Sequence, residues 1–276
     1  MVVLERELFS SSFVLIDRLF RKAAPAMVLD LDDATFLLHP QKFDTLVGMC
    51  DAVIVGNSLL SERVEPLNPY VVLIPTAIDL SRFTQKQTQK VTGRRLVVGW
   101  TGTAANLPQL KLLEKPLQKL SWEFSFELRI IAERPPLNFD VGELPVRFVP
   151  WCEETEISDL QQFDIGIMPL EDTQWTRYKC GLKILQYMAL GIPSVASPIG
   201  VNRQIIEHAR NGLLAETSEQ WYAALRRLLG DDGFRLSLGS TGRRTVEEGY
   251  SVDKLVQTML GVLTGAVTRS ERRRLA

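Results

Sequence analysis

The sequence has no long apolar run. Its stretch Phe13-Val14-Leu15-Ile16 is broken at once by Asp17 and Arg18, too soon for a membrane span or the core of a signal peptide. Cysteine is scarce as well. Cys50, Cys152 and Cys180 are odd in number and lack metal-ligand spacing, which argues against a disulfide framework and for reduced thiols in a cytoplasm. There is almost no net charge: 32 basic residues against 33 acidic ones leave −1, with a pI near 6.2, so nothing electrostatic points to nucleic acid as a partner. Internal repeats and low-complexity segments are missing. What remains is enough apolar sequence, 45% of 276 residues, for a sizeable core in one or two domains.

The most informative stretch runs from Phe163 to Leu214. Asp164-Ile165-Gly166-Ile167-Met168-Pro169 has the length and boundaries of a buried parallel strand. A loop then opens a helix expected over Lys179 to Leu190. Ile192-Pro193-Ser194-Val195-Ala196 reads as a second buried strand, and Ser197-Pro198-Ile199-Gly200 leads into a helix from about Asn202. Strand, helix, strand, helix at this spacing predicts a doubly wound α/β sheet. Such sheets bind ligands at the carboxyl ends of their strands.

Inside the expected helix, Leu182, Leu185, Met188 and Ala189 form a stripe that should pack on the sheet. Lys179, Lys183 and Gln186 fall at i, i+4 and i+7 on a different stripe, which can face a cleft. Two ammonium groups one turn apart, beside a helix N-terminus, suit a diphosphate. Gly181 lets a ligand come close to the backbone. A solvated basic face on an ordinary helix has the same spacing, so spacing alone does not choose.

The order of the pieces does. DIGIMPL, then KCGLKILQYMALGIPSVASPIG, then IIEHARNGLLA, resembles the nucleotide-sugar-binding half of the family 4 glycosyltransferases, which have the GT-B fold. The match extends upstream to VVGWTGTAANL (Val97 to Leu107) and downstream to Tyr250-Ser251, covering most of residues 94 to 265. Ser10 to Lys22 reads as a helix with apolar Phe13, Ile16, Leu19 and Phe20, and Met27 to Leu31 and Leu96 to Val98 read as strands. The first third resembles only the later part of the family's N-terminal domain, through DLDDA, DAVIVGN and IPTAID. The resemblance therefore implies an α/β, GT-B type chain of two Rossmann-like doubly wound domains. The expected division is a partial, acceptor-side domain at 1–84 and a nucleotide-sugar-binding domain with a terminal helix at 94–276. The polar segment Gln85 to Arg95 between them reads as a linker.

The same resemblance implies transfer of a sugar from a nucleoside-diphosphate sugar to a glycan or lipid-linked acceptor, with retention of configuration and with no metal or other cofactor. Lys179 and Lys183 would stabilise the leaving diphosphate. Many family members carry two glutamates eight positions apart around this helix start, one near the sugar and one on the ribose. Here those positions are Tyr178 and Gln186, so Glu171 or Asp172 on the preceding loop is expected to approach the sugar instead. Gly102-Thr103 would close over the phosphates, Gly181-Leu182 would offer backbone N–H groups, and Trp151 would stack on the base. Gly200, Asn202 and Gln204 complete the expected donor contacts.

The DLDDA segment admits three readings: Asp30-x-Asp32 as a metal-binding signature, the aspartates as a cap on a strand and its turn, or Asp32 or Asp33 as a residue of the cleft. His208 is expected on a helix before an Asn211-Gly212 cap. The amphipathic segment after Ser251 fits packing on either domain. The arginine-rich tail, Arg269 to Arg274, fits a solvated end or weak contact with an anionic membrane at the inner face of the cell. A non-catalytic nucleotide-sugar-binding module, partner to an active transferase, is the competing reading.

Overall fold

A computed structural model describes residues 1–6, 13–85 and 94–275. Most of the expected linker, and the start of the helix expected at Ser10, lie outside them. The chain divides into two compact units, 1–77 with 173–180 and 252–276, and 78–172 with 181–251.

The first unit begins with β1 (Val2–Glu5), α1 (Leu15–Ala23), β2 (Met27–Leu31), α2 (Pro40–Met49), β3 (Ala52–Val55), α3 (Ser58–Val64) and β4 (Val71–Leu73). Its four strands are parallel and lie in chain order, β1-β2-β3-β4. Side chains alternate across the sheet, as the two-residue strand period requires. Met27, Leu29, Leu31, Val53 and Val55 meet Phe43, Leu46, Leu60 and Val64 of α2 and α3 on one face. Val28, Ala52 and Ile54 meet the other face's cover.

The second unit runs β5 (Leu96–Thr101), α4 (Glu114–Ser121), β6 (Phe126–Ala132), β7 (Val146–Pro150), α5 (Glu156–Leu160) and β8 (Ile165–Met168). The short α6 (Gln174–Arg177) belongs to the first unit. After it come α7 (Leu182–Ala189), β9 (Ser194–Ala196), α8 (Asn202–Ile205), β10 (Leu213–Leu214), α9 (Ser218–Gly230) and α10 (Asp232–Gly249). This sheet is also parallel throughout, in the order β10-β9-β8-β5-β6-β7. One face packs Val98, Trp100, Leu128, Ile130 and Ile167 on α4 and α9; the other packs Val97, Ile131 and Met168 on α7.

The last helix, α11 (Val252–Leu275), belongs to the first unit and supplies the missing cover. Val262 and Ala266 pack on Val28, Ala52 and Ile54. Arg269 Nε donates to the Asp51 carbonyl at 3.0 Å and its guanidinium lies 4.2 Å from the Tyr70 ring centroid. The observed units thus differ from the expected division: 252–276 and 173–180 group with the N-terminal residues, and 78–84 with the second sheet.

Three further expectations are corrected. The helix expected over Lys179 to Leu190 starts only at Leu182, because Gly181 is its N-cap with φ 74°, a left-handed conformation that ends any helical run entering from Lys179. His208 lies on no helix, since α8 stops at Ile205; its Nδ1 accepts from the Leu214 N–H at 3.1 Å. The helix expected over Ser10 to Lys22 runs, among the described residues, over Leu15–Ala23, and its apolar residues Phe13, Ile16, Leu19 and Phe20 are exposed.

Candidate functional site

The order of the second sheet reverses between β5 and β8. The chain runs from β5 outward through β6 and β7, then returns to the other side of β5 for β8, β9 and β10. A parallel sheet that reverses in this way opens a crevice beyond the carboxyl ends of the two strands at the reversal. Here those ends are Thr101-Gly102-Thr103 after β5 and Pro169 to Asp172 after β8.

What seats α7 against this crevice is a pair of glycines. Gly99 and Gly166 are register partners across β5 and β8. A Cβ on Gly99 would lie 2.1 Å from the Phe163 ring, and one on Gly166 would lie 2.4 Å from the Tyr187 ring. The two rings are 6.0 Å apart and tilted. Tyr187 Oη accepts from the Thr101 N–H at 3.2 Å, which ties the helix to the strand end that leads into the loop. Burial drives the Tyr187 phenol strongly upward in pKa, so this oxygen stays neutral. Ile184, Leu185, Tyr187, Met188 and Ala189 are all buried, as is Gln186, so α7 is enclosed on nearly every side. Its first turn is the exception. Leu182, expected on the packing stripe, is 49% exposed.

Lys183 sits in that first turn. A Cβ on Gly102 would meet Lys183 Cε at 2.6 Å and the Trp100 ring at 2.9 Å, and Lys183 Nζ lies 5.8 Å from the Trp100 ring centroid. The lysine therefore crosses the crevice from the β8 side to the β5 loop, beside a helix N-terminus whose dipole favours anions. Gly102 donates its N–H to the Ile131 carbonyl at 3.1 Å. Thr103 Oγ1 accepts from Asn106 at 2.7 Å, and Ala104 N–H donates to Glu133 Oε2 at 2.5 Å, which fixes the loop. On the far wall the Glu171 N–H donates to Gln109 Oε1 at 2.6 Å; Glu171 and Asp172 are both exposed there.

Lys179 is placed differently. It lies three residues before α7, in the segment that groups with the first unit, so the lysines are not one turn apart on a common helix face. That segment is anchored by Asn57, whose Nδ2 donates to the Tyr178 carbonyl at 2.7 Å and to Cys180 Sγ at 3.3 Å. Tyr178, half-buried, packs edge-on against Phe36 with centroids 4.9 Å apart, which commits its ring to the first unit's core cluster. Cys180 is buried and pushed up to about 12, chiefly by desolvation, so it is an inert thiol.

Gln186 and Trp151 meet on one acceptor that the sequence did not suggest. Gln186 Nε2 and Trp151 Nε1 each donate to Glu156 Oε1 at 3.3 Å. Gln186 is 7% exposed and Trp151 45% exposed. A carboxylate is thus present beside position 186, supplied by α5. Only a residue from outside the motif could do this, and periodicity does not show it.

The remaining expected contacts divide. Gly181 and the turn at Gly200 to Asn202 are brought together: a Cβ on Gly181 would lie 2.5 Å from Ile205 Cδ1 and 3.2 Å from Val201 Cγ2. Gly200 has φ 52°, the left-handed conformation glycine adopts without strain. Asn202 is 1% exposed and its Nδ2 donates to the Ser197 carbonyl at 2.9 Å, which holds the turn. Gln204 instead lines a separate hollow of about 550 Å³ with Thr241, Thr245 and Tyr250, to which no strand-end loop contributes. In the first unit, Arg6 makes a two-point contact with Asp32 at 2.8 and 2.9 Å and approaches Asp33 at 3.4 Å. Among the described residues no cluster of three or more His, Cys, Asp or Glu could hold a metal. No helix among them is long and apolar enough to cross a membrane.

Two parallel Rossmann-like sheets, one with this order reversal, define the GT-B class of fold. Residues 95–231, just under half of the chain, match the family model of the glycosyl transferases group 1, and that region is a glycosyltransferase domain. Among solved structures, sucrose-phosphate synthase from Thermosynechococcus elongatus is similar, at TM-score 0.67 and 15% identity, over 87% of this chain and 67% of that one. A glycosyltransferase from Rickettsia africae is similar at 0.68 and 13%, over 94% and 75%. HepE from Anabaena, determined with UDP and glucose, is similar at 0.69 and 15%, over 87% and 71%. No curated protein sequence matches the chain.

Proposed function

We propose that this protein moves a sugar from a nucleoside-diphosphate sugar to a glycan or lipid-linked hydroxyl, with retention of configuration. The observation that carries the reading is Lys183 in the first turn of α7, crossing the crevice at the sheet's reversal to lie over Gly102. A departing diphosphate needs its growing charge met, and preorganised cations and helix N-termini do this without reorganising. Lys183 and the α7 N-terminus supply that charge from the protein itself, so the reaction proposed is independent of metal. Glu156 takes the place of the ribose carboxylate that Gln186 lacks. Glu171 and Asp172 are the carboxylates proposed to face the sugar. That HepE was determined with UDP and glucose makes a uridine nucleotide the first ligand to try.

One observation favours the competing reading of a binding module. Tyr178 stands where many relatives carry the sugar-side glutamate, and its ring is committed to Phe36. Calorimetric titration of wild type and Lys183→Ala with UDP, GDP and ADP, without metal, tests the site. One nucleotide should bind, and the variant should lose ~1–3 kcal/mol, as for a charge-assisted contact. A folded wild type that binds none of the three would end the transferase reading. Binding without turnover of the matching nucleotide sugar would favour the module.

A further inference from the structure

Helix α1 is turned inside out. Its one buried side chain is Asp17, 1% exposed, whereas Leu15, Ile16, Leu19 and Phe20 are 67%, 42%, 57% and 40% exposed, and Phe13 just before them is 78% exposed. At roughly 100° per residue, Leu15, Leu19, Ala23, Ile16 and Phe20 fill one arc of about 140°. A stripe of that width ordinarily meets a core. Here it meets solvent.

The arc next to Leu15 carries Arg18 and Lys22, both exposed. Arg18, Arg21, Lys22 and Arg273 line a hollow of about 260 Å³, with Met49 and Ser270. Two carboxylates beneath this helix are buried and ion-paired: Asp51 with Arg21 at 3.2 Å and Arg273 at 3.4 Å, and Asp17 of α1 itself with Lys42 at 3.8 Å. On α11, Glu271, Arg272 and Arg273 are all exposed, and of these Arg273 reaches the hollow.

We infer that this face is a membrane-docking surface and that its occupant is an anionic bilayer. A helix with a wide apolar arc and cations along its flank lies in the plane of an interface. Its apolar side enters the acyl boundary and its cations meet the headgroups. The charge chooses the occupant. In a two-fold contact between copies each patch meets itself, so a second copy would set Arg18 and Lys22 against their own kind. An anionic headgroup layer pairs with them. The proposed contact thus centres on α1 and not on the arginine tail, with Arg273 at its rim. The proposal does not depend on the reaction.

The test is co-sedimentation of the full chain with vesicles of phosphatidylcholine alone and of phosphatidylcholine with equal phosphatidylglycerol. The protein should pellet with the mixed vesicles only, and added salt should release it. Leu19→Asp should remove binding. The Arg18→Gln, Lys22→Gln double variant should weaken it ~25-fold, at about fivefold per cation. If Leu19→Asp does not fold, Leu15→Gln at a more exposed position carries the same test. Absence of binding, equal binding to both vesicles, or undiminished binding by the folded variants would overturn the proposal. So would a solution dimer, seen by light scattering, that Leu19→Asp splits, since a second copy would then own the face.

Discussion

The two sheets are built from the same kind of strand and differ in order. The first, β1-β2-β3-β4, runs in chain order without a reversal, whereas the second reverses between β5 and β8. The crevice follows the reversal, not the composition. Buried apolar strands end in polar loops in both, Asp32-Asp33 in one and Gly102-Thr103 in the other. Within its own unit, the second loop faces a lysine from a neighbouring helix, and the first is engaged by Arg6 on its own sheet edge. Polar residues at a strand end are therefore a weak sign of a site until the order of the strands is known.

The largest expected effect comes from closing the space that seats α7. Gly166→Val should destabilise the second unit by about 3 kcal/mol, since the new side chain and the Tyr187 ring claim the same volume. The measurement is urea unfolding followed by tryptophan fluorescence, where the buried Trp100 and Trp221 report on this unit. An unchanged midpoint would mean that Tyr187 moves freely, and that α7 is not pinned as described. Gly48→Ala in α2, whose Cβ would touch only the Leu67 carbonyl at 3.9 Å, should cause no such loss.

Next in size is the contrast between the lysines. Lys183→Ala should raise the nucleotide Kd by ~30-fold, about 2 kcal/mol. Lys179→Ala should raise it by less than ~3-fold, because Lys179 precedes the glycine that starts the helix and groups with the first unit. Equal losses would restore the shared basic stripe expected from spacing and remove the distinction drawn from Gly181. Smaller still is Glu156→Gln. It keeps the shape and removes the charge at the meeting point of Gln186 and Trp151, and should cost nucleotide binding about 1 kcal/mol. If nucleosides bind the variant and wild type equally, Glu156 only props up its neighbours.

What could be read in advance follows physical range. The strands were legible, because a parallel strand buried on both faces must be apolar along its length: the runs at 27–31, 96–98, 164–169 and 192–196 each fall on an observed strand. The glycine loops at 102 and 200 were legible for a similar local reason. Long-range meetings were not. Nothing near Gly99 or Gly166 announces that Phe163 and Tyr187 will press on them, and nothing near Gln186 announces Glu156, which is 30 residues away. The start of α7 failed on one dihedral angle, because a glycine inside an otherwise helical pattern can be a member of the helix or its end. The facing of α1 was not legible, on tertiary grounds. Its pattern is amphipathic, and a pattern fixes which residues share a side without fixing what lies on that side.

The smallest effect expected is the one that tests the first sheet's loop. Arg6 and Asp32 are each 46% exposed in their side chains, so their two-point contact is worth at most about 1 kcal/mol. Asp32→Asn should therefore shift the unfolding midpoint slightly or not at all. It should also leave nucleotide affinity unchanged, because the strand-end loops that form the crevice between β5 and β8 belong to the second unit itself. Asp33→Asn should behave alike, with Arg6 only 3.4 Å away. Added Mg²⁺ should alter neither the affinity nor its insensitivity to these substitutions, since a guanidinium already occupies the place a cation would take. An affinity that falls tenfold in Asp32→Asn, or that rises with Mg²⁺ only when Asp32 is present, would make the acidic triplet a ligand site. The order of strands would then no longer separate the two sheets.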